Sequence, residues 1–282
     1  LSREHILVRK AEDLVALRQM AAVSHLQLIK LVIESFGGKA TPDQIREVLT
    51  PEVVADDWKK WWEVAKRELK HDGHFVVPLK KTDPVVYQPQ EVSLTDRLMG
   101  EFRAAKGLKA RLVVAGELLR NQAELPDRQQ AFAEAIELLN QEIASHQRTL
   151  PALALEGVFM RADLRAAGDL PPVEGEIDEA TIWRQVEKPG RLLEQISSGK
   201  QKRALQSFRH ARPDDWDHVL LEFLNTVSAK LCAECVSLLI EQGRLDELKQ
   251  ALARLINQHD ASSELLLWLA KGRTDTYADL LG

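Results

Sequence analysis

Apolar side chains recur at helical spacing through nearly the whole chain. In residues 4–34 they fall at Ile6, Leu7, Leu14, Leu17, Met20, Leu26, Ile29, Val32 and Ile33, the three-to-four-residue repeat of helices with one buried face. Two amphipathic helices meeting near Ser24 are predicted there. Gly37-Gly38 closes the second, because glycine takes the left-handed backbone of a helix end without steric cost. Thr41-Pro42-Asp43-Gln44 opens the next. Thr41 is the N-cap, Pro42 the first helical residue, and Gln44 is spaced to return a capping-box bond. Thr50-Pro51-Glu52 has the same form and predicts a further helix, running through WKKWWEVAKRELK at 58–70 to a stop at His71-Asp72-Gly73.

The period then changes. Phe75-Val76-Val77 and Val85-Val86-Tyr87 are short, β-prone and bounded by Pro, Gly or Asp, which predicts a hairpin. Three helices followed by a hairpin is the order of a winged helix, a variant of helix-turn-helix. After Pro89 the pattern is helical again, with helices predicted over 93–105, 108–124, 127–147, 151–167, 179–186, 190–196, 200–209, 214–227, 229–242, 244–258 and 262–270. The Pro-containing, acidic stretch 168–178 is the best linker. Weak self-similarity, such as Leu192-Leu193-Glu194-Gln195 against Leu238 to Gln242, has a spacing near that of HEAT-like helix pairs. Generic helical packing would give a similar pattern. The fold class read from the sequence is therefore mostly α. A winged-helix-like domain with one short β-hairpin covers 1–90, a helical domain 91–170, and a helical array, with a HEAT-like solenoid as one arrangement, 171–282.

Stepping about 100° per residue separates the tryptophan helix into faces. Val54, Trp58, Trp61, Trp62, Ala65 and Leu69 share one arc, as a core-facing stripe does. Lys59, Glu63, Lys66 and Lys70 line the opposite arc, with Lys60 and Arg67 beside it. Core packing is the reading for the indoles, and an aromatic platform for single strands is disfavoured, because that needs aromatics and cations on one surface. A solvated face is the ordinary reading of the cations. The winged-helix order supplies the alternative, since this helix is then the one offered to a nucleic-acid groove. The candidate contacts to nucleic acid or a partner are Lys59, Lys60, Lys66, Arg67 and Lys70, with Lys80 and Lys81 at the wing tip. Glu63 interrupts the basic arc. Asp56 and Asp57 suit the positive end of the helix dipole. A second basic segment, 191–212, holds Arg191, Lys200, Lys202, Arg203, Arg209 and Arg212 against one acid, Glu194. It suits a phosphate backbone, an acidic protein surface, or solvent.

Charge limits these readings. The 282 residues carry a net charge of −5, which opposes coating of nucleic acid along the whole length and makes any such contact a local patch. No apolar run approaches the roughly 18–20 residues that span a bilayer, and no secretory leader pattern is present. With two cysteines in the chain, a reducing, cytoplasmic setting is expected.

Candidate chemistry does not assemble. Cys232-Ala233-Glu234-Cys235 lacks a second ligand pair for zinc and lies inside an apolar helical run, where two small buried residues are the better reading. His71-Asp72-Gly73-His74 offers two nitrogens and no third ligand. Gly37-Gly38-Lys39-Ala40-Thr41 lacks the strand and leading glycine of a phosphate loop. No catalytic residue, metal site or cofactor is assigned, and a non-enzymatic protein is expected.

The run from Gly38 through Thr41-Pro42-Asp43-Gln44-Ile45, then Trp58-Lys59-Lys60-Trp61-Trp62 to Leu69-Lys70, Phe75 and the hairpin, resembles the amino-terminal helical extensions of long bacterial Gre-type transcription elongation factors. Ala261 to Ala270 resembles the later part of the same region. The resemblance implies association with RNA polymerase during transcription, while contact with DNA or RNA is the expectation raised by the basic residues of the tryptophan helix. Gre factors act through a coiled coil with acids at its tip. None is seen in this sequence, so no catalytic residue carries over, and the chain would be the docking or regulatory part. The competing expectation is an α-helical protein–protein scaffold unconnected with transcription.

Overall fold

The structure is a computed structural model that describes residues 3–55, 57–78 and 82–271. Its internal contacts form two units, residues 1–100 and 101–282.

The first unit begins with α1 (Ile6–Glu12), α2 (Leu14–Val23) and α3 (His25–Ser35). The predicted first helix is thus broken in two at Asp13. Its carboxylate accepts a hydrogen bond from the Ala16 backbone N–H at 3.1 Å and so caps a new helix. Phe36 ends α3, Gly37 and Gly38 follow with φ of +77° and +90°, and the Gly38 N–H returns to the Ile33 carbonyl at 2.9 Å. A two-residue strand β1 (Lys39–Ala40) comes next, then α4 (Pro42–Leu49). Both capping-box bonds of α4 are present. The Thr41 N–H donates to Gln44 Oε1 at 2.9 Å, and the Gln44 N–H to Thr41 Oγ1 at 3.2 Å.

The expected helix start at Thr50 is corrected. The Thr50 N–H and hydroxyl both donate to the Arg46 carbonyl, so Thr50 closes α4 instead of opening its successor. Residues 51–54 turn, and α5 (Trp58–His71) begins later, where the Asp57 carboxylate accepts from the Lys59 and Lys60 N–H groups at 3.0 and 3.3 Å. Val54 is buried, but before the helix rather than on it.

The hairpin strands are β2 (Phe75–Val76) and β3 (Val85–Tyr87). β3 is central in an antiparallel sheet of order β1-β3-β2. It pairs Ala40 with Val85 on one side and Phe75 with Tyr87 on the other. The element order α3-β1-α4-α5-β2-β3 is that of a winged helix. Ile29, Val32, Ile33, Ile45, Leu49, Ala65, Leu69, Phe75 and Val85 meet in one core, each at most 3% exposed. Each large apolar side chain buried this way contributes about 1.5–3 kcal/mol before entropy is charged. Gly73 is required at the end of α5, because a Cβ there would lie 2.7 Å from the Val92 carbonyl oxygen.

Helix α6 (Leu94–Ala104) runs across the division between the units. The second unit is a helical array of α7 (Leu108–Arg120), α8 (Arg128–His146), α9 (Pro151–Gly168), α10 (Glu179–Arg184), α11 (Pro189–Gln195), α12 (Gln201–Ala211), α13 (Trp216–Phe223), α14 (Ala229–Glu241), α15 (Leu245–Asn257) and α16 (Ser263–Lys271). Helices α7, α8 and α9 pack on one another, and the packing then passes from α9 to α10, to α12, to α14 and to α16. Acids fasten successive layers. Glu156 of α9 accepts from the Ser197 N–H at 2.8 Å and the Ser197 hydroxyl at 2.7 Å, capping the 3₁₀ turn Ser198–Lys200. Glu194 of α11 accepts in the same way from Ser228, at the start of α14. The loop after α9 is pinned by Glu176. Its carboxylate takes hydrogen bonds from Arg165 and Asn140 and lies 3.5 Å from Nε of the buried Arg161.

Candidate nucleic-acid interface on the winged-helix unit

Helix α5 is fixed by its inner side. Ala65 and Leu69 are fully buried, the Trp61 indole N–H donates to the Ala21 carbonyl at 2.7 Å, and His25 Nδ1 lies 3.1 Å from both oxygens of Glu68. These contacts decide which side faces out. Lys59, Lys60, Arg67 and Lys70 are exposed and Lys66 is half-exposed. Among the described residues none of the five forms a salt bridge. Lys80 and Lys81 lie outside the described residues.

The tryptophans pack against the core, as the core-facing stripe predicts. All three are half-buried and pack against the core from its edge. Trp58 stacks on Trp61 and on Trp62, with ring centres 5.3 and 5.6 Å apart. Trp61 turns inward. Trp58 and Trp62 line a cleft of about 520 Å³, together with Lys59, Glu63 and Lys66 of α5, Asp43 and Arg46 of α4, and Val77, Pro78 and Val85 of the wing. The separation of aromatic and basic faces on the isolated helix is therefore corrected. α4 and the wing stand over the seam between the two faces, and one cleft takes in both.

The second basic segment has a different environment. Lys200 is 2.8 Å from Glu156, Arg203 2.7 Å from Asp163, Lys202 3.3 Å from Glu241 and Arg212 2.5 Å from Asp215, while Arg209 bonds Gln242. Arg191 is exposed. Burial works to raise the Glu156 carboxyl, but hydrogen bonds from Lys200 and Ser197 outweigh it and hold its pKa below the ordinary value.

Residues 94–279 match the family described as the GreA-associated C-terminal domain. The chain belongs to that family. Residues 7–92 match the GRAD helix-turn-helix domain, which agrees with the winged-helix order of the first unit and contains all five basic residues of α5. A protein of Chlamydia pneumoniae named transcription elongation factor GreA is 23% identical over 279 residues, covering 95% of this chain and 37% of that protein. The GreA of Chlamydia trachomatis is 22% identical over 121 residues, 43% of this chain and 17% of its own. A putative GreA-associated domains protein of Treponema pallidum is 29% identical over 117 residues, 40% of this chain and 17% of its own. The chain thus spans well under half the length of these relatives. No solved structure matches it. The resemblance to the extensions of Gre-type factors is borne out, and the chain is a module related to transcription elongation factors.

Among the described residues of this GreA-associated chain, no group of three or more His, Cys, Asp or Glu is placed to hold a metal ion, and no helix is long and apolar enough to cross a membrane. Cys232 and Cys235 are fully buried in α14. Burial pushes the Cys232 thiol up to about 12, and burial with nearby negative charge raises Cys235 as well. Neither forms thiolate near neutrality, so both are expected to stay unreactive toward Ellman's reagent at pH 8 until denaturant is added. Prompt reaction of the folded chain would contradict this.

Proposed function

We propose that this chain is a non-enzymatic docking module of a transcription elongation factor. It engages RNA polymerase and lays the basic ridge of α5 against the phosphate backbone of the nucleic acid that the polymerase carries. One observation carries the reading. Lys59, Lys60, Lys66, Arg67 and Lys70 project from the helix that a helix-turn-helix unit offers to a groove, and among the described residues none of them is held in a salt bridge. The cations of segment 191–212 that already hold acids of neighbouring helices are left out of the contact surface. The names of the relatives support the polymerase as the partner.

Fluorescence anisotropy with a labelled 20-base-pair duplex tests the nucleic-acid part. Four or five phosphate contacts release enough counterions to lower affinity roughly 10²-fold between 50 and 200 mM salt. Absent or salt-insensitive binding would remove this part of the reading. The immobilised chain is also expected to retain purified core RNA polymerase after nuclease treatment, and no retention would remove the polymerase part. A scaffold unconnected with transcription, which the mixed charge around Glu63 favours, predicts neither result.

A further inference from the structure

We propose that the cleft between α4, α5 and the wing receives one unstacked base of a single-stranded nucleic acid. The inference rests on the reading of α5 as the nucleic-acid face and adds to its phosphate contacts a site that only a single strand can fill. Three observations converge on it. The wall is aromatic, because Trp58 and Trp62 are stacked at 14° and each contributes to the lining. Among the described residues Trp61 ties its indole N–H to a backbone carbonyl, whereas Trp58 and Trp62 have no recorded acceptor and can donate to a base or phosphate oxygen. The rim is mixed, with Lys59, Lys66 and Arg46 set among Asp43, Asp57 and Glu63, and the net positive charge lies just outside it, where Lys60, Arg67 and Lys70 carry the α5 ridge away from the indoles.

The cleft holds about 520 Å³, within the range of small-ligand sites and ample for a base with its sugar. Every base has a π-face, so stacking on indole tolerates any sequence. A base in a duplex has both faces covered by its neighbours and presents only edges, so the cleft selects against duplex. The occupant that competes on chemistry is a proline-rich peptide, which aromatic grooves also take. The exposed cations of the ridge beside the cleft, Lys60, Arg67 and Lys70, favour the polyanion, since such a peptide brings no phosphates for them.

The test uses the full chain with fluorescein-labelled eight-residue oligouridine, oligothymidine and a duplex of equal length, with decaproline as competitor. Trp62→Ala is expected to weaken both single strands about ten-fold, to leave duplex affinity within two-fold, and to be largely restored in Trp62→Phe. Loss with oligouridine alone would restrict the inference to RNA, and loss with oligothymidine alone to DNA. Asp43→Trp fills the cleft from an exposed position of α4 and keeps the experiment decisive if Trp62→Ala does not fold. It removes an acid, which by charge alone would tighten binding, so weaker single-strand binding means occlusion.

The inference is overturned if both variants bind single strands as the parent does, or if decaproline displaces nothing yet itself binds in a Trp62-dependent way. Charge reversal at Lys60 and Lys70, outside the cleft lining, separates it from the broader reading. Loss of all binding there, with Trp62→Ala unaffected, leaves the ridge and removes the cleft. No oligonucleotide binding at all removes both.

Discussion

A chain carrying Lys59→Glu, Lys66→Glu and Lys70→Glu together is expected to lose duplex affinity by on the order of 10²–10³-fold at 50 mM salt, and with it most of the salt dependence. Each reversal deletes one phosphate contact and sets a like charge against the backbone. The fold is expected to survive, because none of the three lysines holds a salt bridge among the described residues and the core of α5 is Ala65 and Leu69 on the other side. Surface changes of this kind are usually within about 0.5 kcal/mol of neutral. A Glu at 59 gains from the helix dipole about what it loses by facing Glu63 one turn on, a few tenths of a kcal/mol each way. Lys202→Glu with Arg203→Glu is the contrast, since both cations already hold acids. Binding there is expected to stay within about two-fold of the parent. Anisotropy titrations with matched circular dichroism spectra make the comparison. Equal loss from both sets, or none from the first, would sink the ridge as the contact surface.

Glu176→Gln is expected to destabilise the helical array by about 1–3 kcal/mol, the usual cost of leaving a buried polar group without its partner, here the guanidinium of Arg161 facing a half-buried residue. Arg161 is 5% exposed and its guanidinium donates to Asn140 Oδ1 at 2.7 Å and to the Ile177 carbonyl at 2.8 Å. Those bonds engage both terminal nitrogens, but the charge is balanced chiefly by Glu176, whose two oxygens also accept from Arg165 at 2.8 Å. Gln keeps the shape and deletes the charge. The pH dependence follows with a definite sign. Burial works to raise the Glu176 carboxyl, yet hydrogen bonds from Arg165 and Asn140 and the charge of Arg161 hold it below its ordinary 4.5. A carboxyl depressed on folding stabilises the fold fully above its unfolded pKa and loses that contribution as pH falls through the folded pKa. The parent should therefore lose stability below about pH 4.5, and the Gln variant should show a flatter profile there. Urea unfolding at pH 7 and pH 4 measures both, and parallel pH profiles for the two chains would refute the assignment.

Most of the fold was legible because its signals are local. The capping box at Thr41–Gln44 and the double glycine after α3 each act within about one helical turn, whereas the need for glycine at 73 comes from Val92, far along the chain. The errors lay where two local readings compete. Asp13 looked like a polar position within a helix and is a cap, while Thr50-Pro51 looked like a helix start and is a stop. Strand β1 was not visible at all. Two residues have no period, and Lys39 and Ala40 become a strand only because Val85 and Val86 lie beside them.

By itself the sequence determined the helix order, the winged-helix arrangement, the basic ridge of α5 and the family. All of these depend on neighbours in the chain or on motif spacing. Only the tertiary structure decided which cations are free. Lys200, Lys202 and Arg203 looked unopposed along the chain, and their acids sit 39 to 44 residues away. It also decided what the tryptophans do. A helical wheel shows two opposite faces, but the cleft walls come from α4 and the wing. Chain neighbours cannot report them, because such walls exist only once distant segments have packed.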